Sequence, residues 1–127
     1  MKLKTMTVRE SISNREVCNH TKQTINHVKL EIGNTITHEI VKSIVCYIIK
    51  EKGNKFLTEC KFIAGGRGDC FCLSTQYVYE ILMTEKESNL VEKQKRYPFH
   101  IVKIMAKKYE KEVNKIYNEI KPLIYDC

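Results

Sequence analysis

The chain has 127 residues, with 22 Lys or Arg against 15 Asp or Glu, a net charge of +7 and a pI near 9.1. That length suits one domain with one core, and no apolar run approaches the ~20 residues of a membrane span. The basic balance favours polyanionic partners such as nucleic acid, although a solvated lysine-rich surface would give the same count.

Met1-Lys2-Leu3-Lys4 is basic, but no apolar signal core follows it, so an intracellular, cytoplasmic protein is expected. Lys2 to Val8 reads as an edge strand, Asn14 to Ile25 as a polar helix or loop, and His27 to Ile32 as a short strand ended by Gly33. Residues 1–33 are therefore taken as an N-terminal extension to a core of about 34–121, the whole forming a single domain.

Asn34 is placed to cap a helix. Ile36, Ile40, Val41, Ile44, Val45 and Ile48 then recur at helical spacing, predicting a helix that buries that stripe and stops near Gly53. Glu39 lies on the border of the stripe. Lys55 to Ile63 reads as a strand, residues 64–68 as a glycine turn, Asp69 to Leu73 as a second strand and Tyr77 to Met83 as a third. Their continuous apolar character argues for burial on both faces.

Thr84 can cap a helix over Glu85 to Lys95, with Glu87 at the capping-box position. Pro98 introduces a fourth strand, Phe99 to Ile104. Tyr109, Val113, Ile116, Tyr117 and Ile120 mark an amphipathic C-terminal helix ending before Pro122. Three strands with short links make an antiparallel meander, and a helix before the fourth permits a parallel crossover. The fold class is α/β: a mixed sheet of about four core strands flanked by helices, in the order αβββαβ plus a C-terminal helix.

Six cysteines stand at 18, 46, 60, 70, 72 and 127. Cys70 and Cys72 form C-x-C, not the C-x2-C of a zinc knuckle, and without a secretion signal they read as small buried apolar residues. Cys18, His20 and His27 lack a fixed metal-ligand spacing.

The chemistry concentrates between Thr58 and Glu85. Asp69 opens the second strand after Gly65-Gly66-Arg67-Gly68, and Glu80 sits inside the third. Two carboxylates on adjacent strands can hold a divalent cation. Each also has a plainer explanation. Asp69 could accept backbone N–H groups at the glycine turn, and Glu80, which needs a partner if buried, could pair with Arg67.

Gly33…His38-Glu39, Thr58-Glu59, Gly66-Arg67-Gly68-Asp69, Tyr79-Glu80-Ile81 and Lys95-Arg96-Tyr97-Pro98 stand in an ordered set. In that order the chain resembles the restriction-endonuclease-like PD-(D/E)xK nucleases, notably small archaeal and viral members related in layout to Holliday-junction resolvases. The resemblance covers about half of the chain. It implies a divalent-metal-dependent DNA nuclease, with Mg2+ or Mn2+ held by Asp69, Glu80, Glu39 and Glu59. Arg67, Lys93, Lys95 and Arg96 become candidate substrate-binding residues.

The superfamily lysine two residues after Glu80 is missing, and Leu82 stands there. Lys61, on the face of Glu59, and Lys86, at the start of the next helix, are the candidate substitutes, so the catalytic candidates are Glu39, Asp69, Glu80, Lys61 and Lys86. Leu82→Lys is expected to raise cleavage if the rest of the site is in place. Two rivals stay open: a nucleic-acid-binding module on the same fold with decayed chemistry, and a structural or partner-binding protein using the C-terminal helix as a homodimer face.

Overall fold

The computed structural model describes residues 24–63, 65–84 and 87–124, without the side chains of 87 and 88. The expectations for Lys2 to Val8 and Asn14 to residue 23, the Cys18 and His20 pair, Lys86, and the Thr84–Glu87 capping box lie outside the described residues.

Helix α1 (Ile36–Glu51) precedes strands β1 (Phe56–Lys61), β2 (Arg67–Cys72) and β3 (Tyr77–Leu82). Helix α2 (Glu87–Arg96), strand β4 (His100–Met105) and helix α3 (Glu110–Ile120) follow. The strands form one sheet in the order β1-β2-β3-β4. The first three are antiparallel neighbours and β4 runs parallel to β3, the direction that an intervening helix makes possible. The class is α/β, with a four-stranded mixed sheet and helices packed on it.

Side-chain alternation along the strands divides the core in two. Val41, Val45, Cys46 and Ile49 of α1 cover Phe56, Cys70, Cys72 and Ile81. On the opposite face Leu57, Cys60, Phe62, Phe71 and Val78 pack under Tyr97 and Phe99, with Phe71 and Phe99 ring centroids 4.7 Å apart. Burial on both faces explains why the strand sequences are apolar throughout. Cys46, Cys60, Cys70 and Cys72 are free and buried; burial pushes the Cys60 thiol up to about 12, which suits an inert packing residue.

Three local expectations change. The N-cap of α1 is Thr35, whose hydroxyl accepts the His38 N–H at 3.1 Å; Asn34 is used elsewhere. The segment His27 to Ile32 is not a strand. It is tied to β1 largely through side chains: Thr58 Oγ1 donates to His27 O at 2.8 Å and accepts Lys29 N–H at 2.9 Å.

The third change concerns the buried face of α1. Ile36, Ile44 and Ile48 are 37%, 52% and 43% exposed, while Thr37, His38, Glu39 and Lys42 are buried beside Val41 and Val45. The helix is turned about its axis relative to its apolar stripe because its inward polar side chains find partners on the sheet. Similarly, α3 lies against α1 with Val113 buried, and Ile116, Tyr117 and Ile120 are 40% to 50% exposed.

Candidate active site at the fork between the second and third strands

Pairing between β2 and β3 consists of Cys70–Tyr79 and Phe71–Val78. The next opposed residues would be Asp69 and Glu80, and there the strands part. Asp69 Oδ2 fills the gap by accepting the Ile81 N–H at 2.8 Å. His38 of α1 reaches Asp69 and Tyr97 reaches Glu80, so the two carboxylates are approached from the two helical layers and meet where the strands part. The fork opens into a cavity of about 370 Å³ lined in part by Asn34, His38, Glu59, Arg67, Asp69, Glu80 and Lys93.

Glycine shapes the approach to this fork. Gly66 has φ 88°, and a methyl group there would stand 2.5 Å from Tyr97 Cε1. A methyl on Gly68 would stand 2.6 Å from Val78 Cγ1. Both positions need a residue without a Cβ, Gly66 for its backbone conformation as well. The close pass lets Tyr97 Oη reach Arg67 O at 2.7 Å and Glu80 Oε1 at 3.2 Å.

Glu80 is 2% exposed. Burial first, and then the charge of Asp69, push its carboxyl up to about 7, against the pull of Lys93 and the Tyr97 hydrogen bond. Lys93 Nζ lies 3.4 Å from Glu80 Oε2. Its partners are thus Lys93 and Tyr97, not Arg67.

Arg67 Nε lies instead 3.1 Å from Glu59 Oε2. Glu59 stands between the Thr58–Cys70 and Cys60–Gly68 pairs of the β1–β2 ladder with φ 50°, a left-handed conformation that costs a non-glycine residue roughly 1–3 kcal/mol. Its other oxygen is 2.9 Å from Lys42 Nζ.

Lys42 is among the residues around the site that sequence patterning missed, with Asn34, His38 and Tyr97. It is fully buried, pairs with Glu39 Oε2 and Glu59 Oε1, and donates to Lys29 O at 2.7 Å. Burial alone would lower its pKa; the bonds to Glu39 and Glu59 outweigh that and raise it. The available signal was its spacing: it follows Glu39 by three residues and His38 by four, and so shares their face of the helix.

Glu39 Oε1 accepts Asn34 Nδ2 at 2.8 Å and lies 3.2 Å from His38 Nδ1. Burial would raise its pKa, but hydrogen bonds from Lys42 and Asn34 hold it low. The other ring nitrogen of His38 is 3.3 Å from Asp69 Oδ2. Burial opposes the charge on His38, but Asp69 and then Glu39 prevail and its pKa is raised. His38 therefore joins the helix carboxylate to the strand carboxylate.

Of the sequence candidates, Asp69, Glu80, Glu59, Arg67 and Lys93 line the cavity, and Glu39 stands behind it through His38 and Asn34. Lys61 is exposed at the end of β1, across from Arg67, and is not part of the lining. Lys95 pairs with Glu92 at 3.3 Å on the outer surface of α2, and Arg96 is exposed beside it. Leu82 is 2% exposed.

Among the described residues, no group of three or more His, Cys, Asp and Glu side chains could hold a metal ion unaided. Mg2+ does not demand one: it is commonly bound by one or two carboxylates, with water and substrate phosphate oxygens completing the shell. Asp69 and Glu80, both oxygen donors and mutually repelling, fit that requirement. Comparison with protein-family models, with curated proteins and with solved structures finds no match for this chain.

Proposed function

We propose that this protein is a divalent-metal-dependent nuclease of the restriction-endonuclease-like class, acting on phosphodiester bonds, with DNA as its substrate. One observation carries the reading. Asp69 and Glu80 come from strands that separate at those two residues, and both line one cavity with Arg67 and Lys93.

Asp69 and Glu80 would hold Mg2+ or Mn2+, which when bound activates water and offsets charge on the phosphoryl group. Arg67 and Lys93 supply positive charge for the non-bridging phosphate oxygens. Tyr97 and the Ile81 N–H fix the two carboxylates, so little reorganisation is needed at the moment of reaction. Lys93 supplies an ammonium beside Glu80 without a lysine at position 82.

A second reading, a nucleic-acid-binding module without chemistry, draws support from the ion pairs. Glu39, Glu59 and Glu80 each already face a lysine or arginine.

A nicking assay on supercoiled, linear and branched DNA with Mg2+ or Mn2+ separates the two. Cleavage that disappears in Asp69→Asn, with the fold intact, is the expected result. Salt-sensitive binding without cleavage on any DNA or RNA form would leave the binding module.

A further inference from the structure

We propose that the Lys42 ammonium is a built-in counter-cation for Glu39 and Glu59, so that the cavity takes one divalent ion, at Asp69 and Glu80, rather than two. The inference rests on the reading of the cavity as a metal site and assigns the occupancy of that site to Lys42.

Four carboxylates surround or back one cavity, enough charge to neutralise two divalent ions. Their partners divide them into two pairs. Glu39 Oε2 and Glu59 Oε1 both meet Lys42 Nζ. The ammonium donates hydrogen bonds to Glu59 Oε1 and Lys29 O and holds Glu39 Oε2 as an ion pair, an oxygen that accepts no hydrogen bond. Glu59 Oε2 is taken by Arg67 Nε, and Glu39 Oε1 by Asn34 Nδ2 and His38 Nδ1. Every oxygen of this pair already faces a cation or a donor.

The other pair is less well compensated. Asp69 commits Oδ2 to the Ile81 N–H and to His38. Glu80 has a lysine at 3.4 Å and a hydroxyl at 3.2 Å, both long for charge-assisted bonds. Repulsion between Asp69 and Glu80 is what a bound dication would remove. A dication at Glu39 and Glu59 would first have to displace an ammonium tethered to the same helix and sealed from water.

The test is the stoichiometry of Mn2+ binding, followed by paramagnetic resonance of free Mn2+ and by calorimetry, with circular dichroism to check the fold. Wild type should bind one ion per chain, and Asp69→Asn should bind none at concentrations that saturate wild type. Lys42→Met frees Glu39 and Glu59 and should bind two. Two ions on wild type, or a folded Lys42→Met that still binds one, overturns the inference and leaves the metal reading standing, whereas one ion that survives Asp69→Asn overturns both the inference and the placing of the metal at Asp69 and Glu80. If Lys42→Met does not fold, the wild-type and Asp69→Asn titrations decide the matter. No ion on wild type overturns the metal reading and this inference with it.

Discussion

The Asp69 carboxylate accepts the Ile81 N–H at 2.8 Å, beyond the point where backbone pairing between the two strands stops. A side chain thus does the work of a ladder carbonyl, and in doing so it lets the strands diverge and the cavity open. On the proposed reading, position 69 has two separable duties, one neutral and one charged. Asp69→Asn keeps a carbonyl oxygen for the Ile81 N–H and should fold with nearly unchanged stability while losing metal binding and cleavage. Asp69→Ala leaves that N–H without its partner and should cost about 1–3 kcal/mol, read by urea denaturation. Equal losses in the two variants would contradict this division.

Glu80 sets a pH dependence with a defined sign. Its folded pKa is about 7 against an ordinary 4.5. Below about pH 4.5 the folded and unfolded chains both hold the proton. Between 4.5 and 7 the unfolded chain releases it while the folded chain keeps it, so stability falls as pH rises. The full loss, on the order of 3 kcal/mol, is reached above pH 7. His38, whose pKa is also raised, contributes in the same direction: its stabilisation is present at low pH and lost above its folded pKa. Glu80→Gln removes only the Glu80 part. In metal-free buffer it should match wild type near pH 4.5 and exceed it at pH 8. Parallel stability–pH curves for the two proteins would refute the assignment.

Tyr97 links the glycine turn to Glu80. Tyr97→Phe removes the hydroxyl bonded to Arg67 O at 2.7 Å and should cost about 1–3 kcal/mol. It should also raise the Glu80 pKa further, because the Tyr97 hydrogen bond holds it down. Gly66→Ala should give the same change at Glu80 by a different route, pushing on the Tyr97 ring. It adds backbone strain at φ 88°, roughly another 1–3 kcal/mol. Carboxyl titration by NMR checks the shared effect; a Glu80 unaffected by Gly66→Ala would rule out the coupling.

Lys93 is the lysine that reaches Glu80, and this revises the expectation for Leu82→Lys. Leu82 is closed off from solvent, so a lysine there enters the interior and should destabilise the fold rather than raise cleavage. Lys93→Met should raise the Glu80 pKa and, if Lys93 assists proton transfer, lower cleavage by about 10²-fold or more. Cleavage rates and thermal melts of both variants provide the check. A stable Leu82→Lys with enhanced cleavage would return the catalytic lysine to position 82.

Much of this architecture was legible because it is local. Apolar runs bounded by glycine and polar turns gave the four strands to within a residue or two, and short links gave the meander. The carboxylates at 69 and 80 stood out because one opens an apolar strand and the other interrupts one. Periodicity failed on α1. Six β-branched residues suggested one buried stripe, yet Ile36, Ile44 and Ile48 face outward and His38, Glu39 and Lys42 face in. A hydrophobicity pattern counts a lysine as a surface residue and has no means of registering that two carboxylates, one of them on a strand of the sheet, wait for it.

The sequence by itself determined the class of fold, the order of elements and the two strand carboxylates, since these depend on neighbours within a few residues. Tertiary structure decided the rest: that Lys42 sits between Glu39 and Glu59, that His38 spans Glu39 and Asp69, and that Lys93 and Tyr97 face Glu80. Each of these joins residues from different elements. A buried charge is stable only where its partners converge from several directions, and no single stretch of chain records that convergence.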